Sequence, residues 1–217
     1  MNDSSMIRHG AQVANQTVAL DTDAEARKER EALAWCNKIS RKLDNKRSKT
    51  KRQGGGVMRI VIDSREQAPF HFHGYDAEVA PGTLQAGDYS LYGLESLVAV
   101  ERKSLSDLVA CLGRERERFE RELERLRGFE SAAVVVESPM ADLALGQYRS
   151  ALNPKAAYES VVAFMCRYRL TFYFAQDRRG AERFTYSFLR HFLRTVERRY
   201  AAVALTKAHP PSSLVVS

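Results

Sequence analysis

Between residues 58 and 107, charged residues fall into four short clusters whose types and spacing could do hydrolytic chemistry. Asp63 closes the apolar run MRIVID and is followed at once by Arg65 and Glu66. Asp88 comes directly after Gly87, where a strand is expected to begin. Glu101, Arg102 and Lys103 end the next apolar run, and Asp107 lies four residues beyond Lys103 at an expected helix start. Residues two apart on an extended strand share a face, so Glu101 and Lys103 set a carboxylate beside an ammonium. Arg102 points to the other face unless the strand bends. A hairpin can bring Asp88 alongside. Carboxylates at this spacing suit Mg²⁺, a hard cation that takes oxygen ligands and keeps some of its waters. An ion held there polarises a phosphodiester and lowers the pKa of its bound water. Lys103 can orient the attacking water or hold developing negative charge. Each residue alone has a plainer reading: a turn acid after glycine, an exposed cross-strand pair, an ordinary helix-start acid. Together, in one register, they point to a site.

These side chains need a scaffold, and hydrophobic periodicity supplies one. MRIVID, 58–63, reads as a buried strand, followed by an aromatic, His-containing loop from Pro69 to Tyr75. Residues 77–80 and 83–85 are weaker strand candidates. Asp88–Leu91 and Leu97–Glu101 form a hairpin turning at Gly93. Ser104–Cys111 reads as a short helix, with Ser104 as cap and Asp107 three residues on, as in a capping box. Arg114–Phe129 is a charged helix with Phe119, Leu123 and Leu126 at helical spacing. AAVVVE, 132–137, is a buried strand; 154–168 is a helix opened by Pro154; LTFYFA, 170–175, is a strand; 181–200 is a long closing helix. Strands alternating with helices give an α/β class with a mixed sheet.

The string GD at 87–88, ERKSLSD at 101–107 and IVIDSRE at 60–66 resembles the GD…ERKxxxD pattern of the XPF-type endonuclease domain, within the PD-(D/E)XK nuclease superfamily. The resemblance covers about 58–199. It implies a restriction-endonuclease-like mixed sheet flanked by helices. It further implies metal-site carboxylates at Asp63, Asp88 and Glu101, with Lys103 catalytic and Arg102 and Asp107 supporting catalysis. Arg65 and Glu66 would lie behind the site or at the substrate edge, with Arg65 and Arg102 near DNA. Arg114 and Arg118, the helix arginines nearest the site, are the further candidates for DNA contact. Relatives often join this domain to a tandem helix-hairpin-helix domain, and nothing after Tyr200 is long enough for one; a stand-alone domain is expected. Such domains tend to pair through their closing helices, so a homodimer is expected through residues such as Val161, Phe164, Phe188, Phe192 and Leu193.

The basic composition fits a nucleic-acid partner, or solubility alone. The net charge is +7 and the pI about 9.4. The excess is uneven: residues 1–57 hold 12 Lys+Arg and 7 Asp+Glu, residues 58–217 hold 22 and 20. Residues 1–22 read as a disordered tail, 23–57 as a helix and a basic linker ending in GGG, 58–200 as the nuclease domain and 201–217 as a frayed tail. Three scattered cysteines argue against a disulfide framework or zinc site and favour a reducing cytoplasm; a cytoplasmic location in a bacterial or phage-like context is expected. No apolar run reaches the length a membrane helix needs. His71 and His73 are read as surface residues. The expected function is a Mg²⁺-dependent endodeoxyribonuclease, with Mn²⁺ as a substitute, acting on branched or flap-like DNA in repair or recombination. The competing reading is a DNA-binding subunit that keeps the fold without catalysis.

Overall fold

The computed structural model describes residues 57–208; the expected helix at 23–43, the basic linker and residues 209–217 lie outside it. The elements run β1 (Met58–Asp63), β2 (Ala77–Gly82), β3 (Tyr89–Leu91), β4 (Val98–Lys103), α1 (Leu105–Leu112), α2 (Arg116–Arg127), β5 (Ser131–Val136), α3 (Met140–Ala144), α4 (Pro154–Tyr168), β6 (Thr171–Phe174) and α5 (Arg178–Ala208). Six strands form one mixed sheet in the order β2-β1-β3-β4-β5-β6. β1 pairs with β2 in parallel and with β3 antiparallel; β3 and β4 are antiparallel; β4, β5 and β6 are parallel. This is the α/β fold with helices flanking a mixed sheet that the sequence implied. No described helix is long and apolar enough to cross a membrane.

Covered on both faces, the sheet's inner strands need apolar residues throughout, which is why β5 reads as an uninterrupted small-apolar run. Alternate residues go to opposite layers. Ala99, Val134, Val136 and Phe172 pack with Leu108, Phe119, Leu123, Leu126, Val161 and Phe164 from α1, α2 and α4. Val98, Val100, Val135, Ile60 and Tyr89 pack with Tyr186, Leu189 and Phe192 of α5. Glu101 and Lys103 therefore continue the Ala99 side of β4, and Arg102 continues the Val100 side.

Local signals set the helix ends. Ser104 caps α1 by accepting from the Asp107 amide at 3.2 Å, and Asn153 caps α4 by accepting from the Ala156 amide at 3.2 Å. Several boundaries differ from expectation. Residues 77–82 make one strand and 83–85 make none, because β2 follows β1 in parallel only as far as Gly82. α3 carried too short a pattern to be foreseen, and α5 begins before 181 and continues past Tyr200 to Ala208. Val161 and Phe164, expected to offer a self-association face, are fully buried core residues, and Phe192 is 7% exposed; Phe188 and Leu193 are partly buried.

Gly87 sits at φ +79°, a left-handed conformation, and a Cβ there would lie 3.1 Å from the Ala99 Cβ and 3.2 Å from the Val100 carbonyl oxygen. Gly87→Ala is expected to lower stability by about 1–3 kcal/mol through backbone strain and crowding. Urea unfolding checks it; an unchanged midpoint would show that the hairpin entry tolerates a side chain.

Candidate active site

The charged clusters converge at one end of β1, β3 and β4. The Asp63 amide donates to the Asp88 carbonyl at 2.8 Å, joining the end of β1 to the residue before β3. The Asp88 amide donates to the Val100 carbonyl at 2.9 Å, while Tyr89 is the residue paired with Val100. Two residues against one is the count of a β-bulge, a device that re-aims a side chain. Asp88 is re-aimed along β4: its Oδ2 accepts from the Arg102 amide at 2.7 Å.

On the α1–α2–α4 side, Glu101 is 3% exposed and ion-paired with Lys103, as their spacing requires. Lys103 also meets Glu122 of α2 at 3.4 Å, and its ammonium lies 5.5 Å from the Phe119 ring centre. On the α5 side, Arg102 forms a fork with Glu66, at 3.2 and 3.1 Å, and reaches Glu137 at 3.2 Å. Glu137 in turn accepts from Arg178 of α5 at 2.6 Å. Arg178 donates to the Ala68 and Pro69 carbonyls at 2.7 and 2.8 Å and lies over the Phe70 ring. Glu122, Glu137 and Arg178 were not foreseen. Glu137 had a faint signal as the charged end of AAVVVE; Glu122 is camouflaged among the alternating charges of α2, and Arg178 precedes the expected helix start.

The three expected metal carboxylates have different fates. Asp63 is buried and saturated: it accepts from the Arg65 amide and Nε at 2.9 and 2.7 Å, from Arg65 Nη2 at 2.9 Å and from the Leu84 amide at 2.8 Å. The Arg65 guanidinium holds this carboxyl down at about 2, over the opposing effect of burial. Burial pushes Asp88 up to about 7 despite the Arg102 amide, and the Glu66 charge adds to the rise. Burial, then the Asp88 charge, drives Glu101 well above the usual carboxylate range. Burial opposes the charge on Lys103, but Glu101 and Glu122 outweigh it and hold the ammonium above its ordinary range.

The remaining expected residues have their charged groups turned to other partners. Asp107 serves the α1 cap, its Oδ2 accepting from the Ser104 hydroxyl at 2.7 Å. Arg102 is only 11% exposed and its guanidinium is engaged by Glu66 and Glu137, so it has little left for a phosphate. Arg65 is 69% exposed, with its fork turned on Asp63 and the Leu84 carbonyl. Arg114 and Arg118 are open to solvent, near Glu115 at 3.5 and 3.7 Å. His71 and His73 stack on each other at 5.5 Å on the exposed loop.

No group of three or more His, Cys, Asp or Glu is arranged to hold a metal ion among the described residues. The donor set present still fits a hard cation. Two mutually repelling carboxylates, Asp88 and Glu101, are pushed toward protonation, and Mg²⁺ commonly uses one or two carboxylates with waters and substrate phosphate completing its shell.

Residues 62–188, more than half of the chain, match the ERCC4 domain. The chain belongs to the ERCC4 domain family. This is the XPF-type nuclease domain, and the ERK string at 101–103 lies within the matched region. The ERCC4 domain here shares its fold with XPF from Aeropyrum pernix, at TM-score 0.52 and 23% identity over 69% of this chain and 73% of that one. The structure of XPF from Aeropyrum pernix in complex with DNA is similar at TM-score 0.51 and 23% identity, over 64% of this chain and 66% of that one. Among curated proteins, none matches the sequence.

The two aspartates give opposite pH signatures. Asp63, lowered to about 2, contributes stability present above its ordinary value of 3.8 and lost as pH falls toward 2. Asp88, raised to about 7, binds its proton more tightly folded than unfolded, so stability falls as pH rises from about 4 to 7. The metal-free protein is expected to melt at lower temperature at pH 8 than at pH 5, with Asp88→Asn flattening that fall. A melting profile with the same slope in the variant would refute the assignment.

Proposed function

We propose that this ERCC4 domain is a metal-dependent DNA endonuclease that hydrolyses phosphodiester bonds, with Mg²⁺ as its ion and Mn²⁺ as a substitute. The observation that carries the reading is the cluster of Asp88, Glu101 and Lys103 at the strand ends. Two carboxylates are driven toward neutrality by burial and mutual charge, and an ammonium is held fully charged beside them. A divalent ion held by Asp88 and Glu101 would polarise the scissile phosphate and lower the pKa of its bound water. Lys103 keeps its proton and presents positive charge where the phosphorane-like negative charge develops. Arg102 acts from behind: its amide orients Asp88 and its fork braces Glu66. Asp63 is a structural carboxylate that closes the β1 end on Arg65 and Leu84.

DNA as substrate is supported by the family and by the archaeal XPF solved with DNA. Branched or flap-like DNA in repair or recombination is the substrate class this family likeness favours. Pairing of two copies would use what remains apolar on β6 and α5. There Tyr173, 38% exposed, stacks on Phe184 at 4.0 Å, and Phe184 touches Phe188.

Labelled duplex, single-strand, flap and fork DNAs incubated with Mg²⁺, Mn²⁺ or EDTA test the reading. Wild type is expected to cut only with metal, and Asp88→Asn and Glu101→Gln to lose at least about 10²-fold in rate, the usual cost of one active-site electrostatic group. At pH 8, Mg²⁺ is expected to raise the melting temperature of wild type and not of Asp88→Asn. Binding without cutting, unchanged in both variants, would leave the alternative of a non-catalytic DNA-binding subunit.

A further inference from the structure

The nuclease reading leaves one strongly charged surface unused. Residues 178–208 hold 8 Lys+Arg and 2 Asp+Glu, while the rest of 58–217 holds 14 and 18. The positive charge of the folded part is thus gathered on α5, and the remainder is net acidic. At 3.6 residues per turn, Arg179, Arg183, Arg190 and Arg194 fall within a stripe about 60° wide, which borders the buried Tyr186 on one side and faces away from the core-facing Ala181, Thr185 and Phe192. The stripe runs about 22 Å along the axis. Three of the four are exposed and Arg190 half-buried, leaning on the Tyr186 ring.

Pairing is sparser here than on α2. On α2, Arg116, Arg118 and Arg127 meet Glu120, Glu115 and Glu124 at 3.0, 3.7 and 3.5 Å, and the exposed Arg121 and Arg125, which make no ion pair among the described residues, alternate in sequence with Glu120, Glu122 and Glu124. On α5, Arg178 and Arg199 pair with Glu137 and Glu130, but none of the four stripe arginines makes an ion pair among the described residues. Arg179 with Arg183, and Arg190 with Arg194, are like-charge pairs four apart, an arrangement that weakens a helix unless an anion relieves it. The stripe also begins beside the site: Arg178, next to Arg179, is tied through Glu137 to Arg102 and so to Asp88. The aromatic patch of Phe184 and Phe188 occupies a different side of α5, so pairing of two copies there would leave the stripe open.

We propose that this arginine stripe is a second DNA surface, gripping the phosphate backbone of a duplex arm that leads away from the catalytic strand ends. The proposal rests on the nuclease reading for its choice of polyanion. A stripe of this length spans roughly two-thirds of a duplex turn and reads no sequence, since phosphate contacts position without specifying. The domain, acidic elsewhere, grips DNA along this one edge, which orients the arm relative to Asp88 and Glu101.

The test is the salt dependence of duplex binding by the full chain, measured by fluorescence anisotropy in EDTA so that nothing is cut. Each lost phosphate contact lowers the slope of log K against log salt by about 0.9. The fourfold Arg→Gln variant at 179, 183, 190 and 194 is expected to lower the slope by about 2–4 and weaken binding at least tenfold. The fourfold Arg→Lys variant, which keeps the charges, is expected to hold the wild-type slope. Arg183→Gln and Arg194→Gln alone are each expected to lower it by about 1, so the proposal stays testable if the fourfold variant misfolds. An unchanged slope in a folded variant, while wild type still cuts DNA, overturns the stripe and leaves the nuclease intact. A slope lost only on single-stranded DNA overturns the duplex assignment. Wild type that neither binds nor cuts DNA overturns both readings.

Discussion

More negative charge is buried at the ends of β1, β3 and β4 than a protein interior tolerates unaided, and the surrounding structure is arranged to hold it there. Ionised carboxylates taken out of water must be paired, neutralised or given a cation. All three remedies occur within a few residues. Asp63 is paired so completely by Arg65 and the Leu84 amide that its carboxyl stays low. Glu101 is paired with Lys103, and Lys103 is shared with Glu122. Asp88, which receives one amide hydrogen bond and no guanidinium, is left pushed toward neutrality, and it is the carboxylate that the proposed mechanism gives to a divalent ion.

Strand alternation divides the balancing charges between two layers. Because Glu101 and Lys103 sit two apart, both turn toward α2, where Glu122 waits; Arg102, between them, turns toward α5, where Glu137 and Arg178 complete a second network. The motif residues are consecutive, yet they act in different places. Lys103 stands beside a reacting phosphate in the proposed mechanism, whereas Arg102 is a brace between β1, β4 and the end of β5. Through Arg178 that brace extends to the Ala68–Phe70 loop, which is itself pinned by Tyr89 accepting from the Phe70 amide at 2.9 Å. The charged end of the sheet and the start of α5 are thereby linked by one continuous run of ion pairs and hydrogen bonds.

Charge segregation gives the fold a second consequence. A nearly neutral domain cannot attract a polyanion by its total charge, but a net-acidic body with its arginines collected on one helix presents a directional field. In the proposed reading the acids at the strand ends attract cations, and the arginine stripe of α5 meets phosphate.

Much of this was legible before any coordinates. Period-two and helical apolar patterns located β1, the β3–β4 hairpin, β5, α4 and the body of α5, because burial on both faces forces such patterns. The capping pair Ser104–Asp107 and the two-residue spacing of Glu101 and Lys103 are local rules, and the structure obeys them. What only tertiary structure decided is which carboxylate does what. Asp63 and Asp88 are the same residue type at the same end of the sheet, and their carboxyls move in opposite directions because burial is outweighed by a guanidinium at one and met only by a single amide at the other. Likewise Glu122, Glu137 and Arg178 come from elements far along the chain, and four α5 arginines meet no acid among the described residues whereas Arg116, Arg118 and Arg127 of α2 each do. Sequence spacing carries neighbours on one element; charge balance is set across elements, by whatever packing brings within a few ångströms.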